Sequence, residues 1–194
     1  MGIESSDAFI GVYQKVNEHY WSLYRKQEID KETLRWIRFD QALKVYGIDN
    51  RTLATSLAER YLQISPLKTG LLPGTMEVLK HLADRYRLHI ITNGFEEVQH
   101  IKLSRSGLSQ YFEVVVTSEK AGCKKPGREI FDFALTSCDG HIRESIMIGD
   151  DLDTDILGAQ NAGMDHVFFN PASVAHDFEV THEIRDLQEL VGIL

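Results

Sequence analysis

Ser145-Ile146-Met147-Ile148-Gly149-Asp150-Asp151-Leu152-Asp153-Thr154-Asp155 is a short apolar run that stops in four carboxylates and then enters a helical pattern ending at Gly163. A buried strand that hands acidic side chains to its C-terminal edge is how open α/β sheets build ligand sites. Carboxylates this crowded repel one another unless a cation or a basic partner lies among them. The stretch therefore predicts an α/β sheet with a divalent ion at its edge. Mg²⁺ is the best match, because it prefers carboxylate and phosphate oxygens.

Working outward, the same alternation of helix and strand extends from about residue 68 to the C-terminus. Helical patterns at 75–85, 95–106, 127–138 and 152–162 alternate with apolar runs at Leu88–Thr92, Glu113–Thr117, Ile146–Gly149 and His166–Asn170. Short β-branched or aromatic runs separated by helices predict a Rossmann-like parallel sheet covered on both faces. Leu71-Leu72-Pro73-Gly74 is the turn that opens this region.

Residues 1–67 read as helix throughout. Phe9, Tyr13, Val16, Tyr20 and Leu23 recur at helical spacing behind a Ser6 cap. Asp30 caps a second helix carrying Leu34, Ile37 and Val45, which stops near Gly47. Asn50 caps a third, with Leu53, Leu57 and Tyr61 on one stripe, ending before Pro66. The expected organisation is a helical domain at 1–67 followed by an α/β core at 68–194.

Two further strand ends carry chemistry. Ile90-Ile91-Thr92-Asn93-Gly94 finishes a strand in a hydroxyl, an amide and a glycine at the mouth of a helix. Hydroxyl and backbone N–H groups at a helix start suit phosphate oxygens; a plain strand-to-helix turn capped by Asn93 is an equal reading of this stretch alone. Gly122-Cys123-Lys124-Lys125-Pro126-Gly127 holds Lys125 before a proline that fixes the backbone and starts the next helix. Such a lysine supplies a fixed positive charge to phosphate and to carboxylates. In the acidic cluster Asp150 sits at the strand tip, placed for direct metal contact, and Asp155 lies one turn into the helix, where it can brace a metal-bound water or Lys125. Asp151 and Asp153 fit equally well as carboxylates at a helix start.

The bulk numbers bound the rest. A chain of 194 residues, 43% hydrophobic and 26% charged, is an ordinary globular protein. A net charge of −8 argues against a nucleic-acid polymer as partner, but not against a small phosphorylated substrate, since one metal ion can reverse the sign of a pocket. Cys123 and Cys138 have no nearby ligand at zinc spacing, which predicts free buried thiols in a reducing compartment and a cytoplasmic location. No apolar run is long enough to span a bilayer. Met1-Gly2-Ile3-Glu4-Ser5-Ser6 matches the loose myristoylation pattern, yet Glu4 and Asp7 follow and no basic patch supports an anchor.

Thr92-Asn93-Gly94, Lys125-Pro126 and Gly149-Asp150-Asp151-Leu152-x-x-Asp155, with Gly158-Ala159-x-x-Ala162-Gly163, together resemble the haloacid dehalogenase-like hydrolase superfamily. The likeness covers the whole chain. It implies that residues 1–67 are the α-helical cap, and that Leu71-Leu72-Pro73-Gly74-Thr75 is the re-entry into the core. The approach Ser65-Pro66-Leu67-Lys68-Thr69-Gly70 is similar to the pyrimidine 5′-nucleotidase-like branch. By the resemblance Thr92, Asn93 and Gly94 would bind substrate phosphate and Lys125 would be the fixed cation, with Thr92 and Lys125 counted as the catalytic pair. Asp150 and Asp155 would hold Mg²⁺. The implied activity is a Mg²⁺-dependent phosphatase of small phosphorylated metabolites, including nucleoside monophosphates, working through an aspartyl-phosphate.

The chain departs from that pattern at one place. The superfamily's first motif, a strand followed by Asp-x-Asp-x-Thr or Val, supplies the aspartate nucleophile, and no such segment precedes the helical region. Asp151-Leu152-Asp153-Thr154 only superficially resembles it: four residues after Asp151 stands Asp155, and four after Asp153 stands Leu157. The expectation is a chain that begins inside the cap of a longer ancestral form and lacks the first core strand. Such a sheet would have two rows of unpaired backbone groups and a tendency for copies to associate. Two alternatives follow: a phosphate-binding remnant without turnover, and a 2-haloacid dehalogenase. The second needs no metal, so the Asp150/Asp155 pair weighs against it, and activity surviving EDTA would favour it.

Overall fold

Ser5, Asp30 and Asn50 each turn a side-chain oxygen onto a backbone N–H three residues ahead, and each starts a helix. A computed structural model describes residues 3–194 and shows these helices as α1 (Ser6–Arg25), α2 (Lys31–Val45) and α3 (Arg51–Ile64). The first cap is Ser5, one residue before the expected Ser6. Met1 and Gly2, the opening of the myristoylation-like pattern, lie outside the described residues. No helix among the described residues is long and apolar enough to cross a membrane.

The chain divides into two compact units, Met1–Lys68 and Thr69–Leu194. In the first, the helices pack through Phe39 and Leu43 of α2 and Ala54 and Ala58 of α3, with Phe9 and Tyr13 of α1 against them. The expected stripes are shifted. On α3 the alanines face inward while Leu53 and Tyr61 are about two-fifths exposed, because a close crossing favours the small side chains and pushes the large ones to its flanks. On α2, Leu34 is fully buried as expected, but Val45 is 63% exposed.

The second unit alternates as expected. Helix α4 (Thr75–Ala83) leads to β1 (Leu88–Thr92), and α5 (Glu96–Arg105) to β2 (Phe112–Thr117). A four-residue helix, α6 (Ser118–Ala121), and then α7 (Arg128–Ser137) precede β3 (Ile146–Gly149). The expected helix 152–162 is two structures: a wide π-type turn at Leu152–Ile156, then α8 (Leu157–Ala162). Gly163, at φ 77°, ends α8 in the left-handed conformation and turns the chain into β4 (Asp165–Phe169). A short β5 (His182–Ile184) and α9 (Leu190–Ile193) complete the unit. β5 lacks a sequence signal because two of its three residues, His182 and Glu183, are polar.

All strand pairs are parallel, yet they form two sheets. β1 pairs with β2, from Leu88 opposite Phe112 to Thr92 opposite Thr117. β3 pairs with β4, from Ile146 opposite Asp165 to Gly149 opposite Phe168, and β4 pairs with β5. Both sheets share their covering layers. Ile91 of β1 and Met147 of β3 pack on the cluster of Val116, Ile130, Phe131 and Ala159, while Leu88 and Ile146 pack on that of Val78, Leu82, Val167 and Ile184. The fold is the expected helix-covered α/β arrangement, and it is interrupted between β1 and β3.

Candidate active site

Asp155 is the hub of the acidic stretch. One oxygen accepts from Lys125 Nζ at 2.5 Å, and the other accepts from the backbone N–H of Asp150 at 3.2 Å and of Asp151 at 3.3 Å. Both partners of the ion pair are buried, Lys125 at 8% and Asp155 at 5% exposed. Each therefore depends on the other, since an unpaired charge at such depth is strongly unfavourable. The wide turn at Leu152–Ile156 is what swings Asp155 back over the end of β3. Gly149 makes room: a Cβ there would stand 2.3 Å from Asp155 Cβ.

Lys125 is held at its backbone by Asn93. The Asn93 amide donates to the Lys125 carbonyl at 3.0 Å, and its oxygen accepts from the Lys125 N–H at 2.9 Å. The Lys125–Pro126 peptide is cis. Asn93, expected beside phosphate, thus spends its side chain on positioning the lysine. Next to it Thr92 Oγ1 accepts from Gly94 N–H at 3.0 Å, which curls the end of β1 into a small loop before α5. The tips of β1 and β3 meet through this chain of contacts: Asn93 to Lys125, Lys125 to Asp155, and Asp155 to the backbone of Asp150.

The remaining carboxylates separate by role. Asp151 accepts from Asp153 N–H and Thr154 N–H, both at 3.0 Å, so it caps the wide turn. Asp153 is exposed on that turn, and Asp150 is exposed at the tip of β3. Among the described residues no three His, Cys, Asp or Glu side chains cluster as a closed metal cage. That donor set still fits Mg²⁺, which is commonly held by one or two carboxylates and keeps its other positions for water and substrate oxygens. Asp150 has the free carboxylate for it. Asp155 has both oxygens committed, which favours the bracing role over direct ligation.

Sequence reasoning passed over the end of β2. Thr117 caps α6 through Lys120 N–H, and Ser118 is 4% exposed with its hydroxyl buried and unpartnered. Glu119 accepts from Glu96 N–H at the start of α5, tying the β2 end to the loop after Thr92. The signal was there in Val116-Thr117-Ser118-Glu119, polar residues at a third strand end. Of the two free cysteines, Cys138 is buried and Cys123 half-buried, and burial raises the Cys123 thiol pKa.

A set of strand-end polar groups on a parallel α/β core agrees with the comparisons to known proteins. The profile of the haloacid dehalogenase-like hydrolases matches residues 3–169. This chain belongs to that family. It is 30% identical over 185 residues to the HAD-hydrolase YfnB of Bacillus subtilis, covering 94% of this chain and 78% of YfnB. It is 32% identical over 185 residues to the pyrimidine 5′-nucleotidase YjjG of Escherichia coli, covering 90% and 80%. The crystal structure of magnesium-bound YfnB superposes with a TM-score of 0.90 at 28% identity, over 98% of this chain and 84% of that one.

Proposed function

We propose that this chain carries the phosphate- and metal-binding half of a Mg²⁺-dependent phosphatase acting on small phosphorylated metabolites, nucleoside monophosphates foremost. Thr92, the backbone at Gly94, and Lys125 meet the phosphate oxygens, and Asp150 meets Mg²⁺ with Asp155 bracing both it and the lysine. When bound, the ion offsets charge between phosphate and carboxylates. Residues 1–67 serve as a helical cap domain and residues 68–194 as the α/β core, and the two free thiols suit a cytoplasmic setting. The substrate class is suggested by YjjG, a pyrimidine 5′-nucleotidase, and the metal by the magnesium-bound structure of YfnB.

The observation that carries this reading is the chain of contacts at the strand tips. It brings a buried ammonium, a strand-end hydroxyl and a free carboxylate to one edge of the core. Of the four carboxylates of the acidic stretch, Asp155 and Asp151 are engaged, Asp150 is assigned to the ion, and Asp153 is exposed on the wide turn, so none is taken as the group that attacks phosphorus. Phosphoryl transfer to an aspartate needs one more. The chain by itself therefore binds phosphate without turning substrate over. The test is hydrolysis of nucleoside monophosphates and of p-nitrophenyl phosphate by pure 194-residue protein, with Mg²⁺ and with EDTA. The expected result is no hydrolysis in either condition. Mg²⁺-dependent turnover would falsify the missing-nucleophile reading, and turnover of a 2-haloacid in EDTA would replace the phosphatase reading altogether.

A further inference from the structure

Phe95, which starts α5, and Leu103, near its end, are buried at 4% and 9% exposed. Gln99 lies midway, four residues from each and so on the same inward row, yet it is a half-buried amide where an apolar side chain would be expected. Helical side chains lean toward the N-terminus of their helix. From the first turn of α5, Gln99 therefore reaches back over the loop that ends β1. Gly94 marks where it arrives. A Cβ on Gly94 would overlap Gln99 Nε2, and would stand 3.1 Å from Thr92 Oγ1 and 3.2 Å from Gln99 Cδ. The Gln99 amide and the Thr92 hydroxyl thus flank one spot beside the bare Cα of Gly94.

Most other polar groups of this loop are committed. The Gly94 N–H donates to Thr92 Oγ1, so a bound group meets it only as a shared donor. The Asn93 side chain holds the backbone of Lys125, and Glu119 takes the Glu96 N–H at the helix start. The Gln99 side chain, by contrast, has no hydrogen-bond partner among the described residues. Its amide offers two N–H donors, and the Thr92 hydroxyl can donate its own proton while its oxygen accepts from Gly94. Phosphate presents several oxygens and is best met by donors from more than one side, each bond strengthened by its charge. Thr92 and Gln99 supply two such sides.

We infer that Gln99 is a phosphate-holding residue of this site: its side-chain amide donates to a phosphate oxygen beside Thr92, and residue 94 is glycine so that the amide keeps its place. The role rests on the phosphatase reading; the seat of the amide against Gly94 does not.

Calorimetric titration of the 194-residue protein with inorganic phosphate in saturating Mg²⁺ tests this, on the parent, Gln99→Leu, Gln99→Glu, Gly94→Ala and the double variant Gly94→Ala/Gln99→Leu. Gln99→Leu removes the donor at similar volume. Gly94→Ala keeps the donor but displaces it, at a position whose backbone is not left-handed. Expected in each of these two is phosphate affinity lowered about tenfold or more, the worth of a hydrogen bond to a charged group. The double variant should lose no more than either alone. Gln99→Glu, which keeps the shape and sets a carboxylate against phosphate, should bind more weakly than Gln99→Leu. Parent-like affinity in Gln99→Leu or Gln99→Glu overturns the role of the amide. So does a double variant in which the two losses add, since Gly94 and Gln99 would then act separately. A parent that binds no phosphate with Mg²⁺ removes the phosphatase reading and the role of Gln99 with it. A parent that binds phosphate beside an indifferent Gln99→Leu removes only the latter.

Discussion

Lys125 and Asp155 show most directly how single side chains organise this protein. A lysine this deeply buried is costly unless its charge is met, and Asp155 meets it while also holding two backbone N–H groups beyond β3. Asp155→Asn removes the counter-charge and leaves a buried ammonium, with an expected loss of about 3–5 kcal/mol. Asp150→Asn lies at the exposed strand tip and is expected to change stability by less than about 0.5 kcal/mol. Urea unfolding of both variants checks the contrast. Equal losses would mean that the two carboxylates share one role. From the sequence, Asp155 had two uses, ligating the ion or bracing the lysine. Spacing alone could not choose between them, because the choice depends on the wide turn at Leu152–Ile156 that points the side chain back at Lys125.

At the scale of elements, helix starts were the most legible feature, because a cap is a local hydrogen bond between near neighbours. Asp30 and Asn50 act as expected, and Ser5 takes the place of Ser6. Asn50→Ala should lower the stability of the three-helix unit by about 0.5–2 kcal/mol, read as a shift in its thermal unfolding; no shift would mean that the Asn50 bond to Leu53 N–H contributes nothing. The Asp30 carboxyl is held below its ordinary range by the Thr33 backbone N–H, so its contribution is fully present above the ordinary carboxylate range and is lost as pH falls beneath that range through the lowered value.

Helix faces were less legible. Ala54 and Ala58 carry little hydrophobic signal yet form the buried side of α3, since what decides a close crossing is the shape of the partner helix. Tyr13 adds a pH dependence to this unit. Burial pushes its phenol up to about 12, and its hydroxyl has no hydrogen-bond partner. A raised folded-state value means that stability is fully present below pH 10 and declines between pH 10 and about 12. Tyr13→Phe should remove much of that alkaline decline and leave neutral-pH stability unchanged or slightly higher, because an unsatisfied buried hydroxyl contributes about 1–3 kcal/mol of desolvation cost. Thermal melts of both proteins across pH 7 to 12 decide it; a variant weaker than the parent at pH 7 would show that the hydroxyl is satisfied in solution.

For the molecule as a whole, the alternation of helices with apolar runs was sufficient to read the parallel α/β core, and the acidic stretch at 145–155 marked the edge where the candidate site residues gather. Thr92, Asn93, Lys125, Asp150 and Asp155 do come together there, although they are far apart in sequence. The arrangement of strands was not readable in detail. β5 is too short and polar to announce itself. The division of the strands into two sheets, β1-β2 and β3-β4-β5, is a matter of pairing that helix and strand periodicity does not encode. A phosphate site built from Lys125, Thr92 and an ion on Asp150 needs the ion to offset the repulsion between phosphate and carboxylate. Phosphate affinity and Mg²⁺ affinity should therefore be coupled.

Calorimetric titration of the 194-residue protein with inorganic phosphate, with Mg²⁺ and with EDTA, on the parent and on Asp150→Asn, measures that coupling directly. The account predicts phosphate binding that is at least tenfold tighter with Mg²⁺ in the parent, and a coupling that disappears in the variant. Phosphate binding indifferent to Mg²⁺, or a coupling that survives the loss of the Asp150 carboxylate, would contradict it.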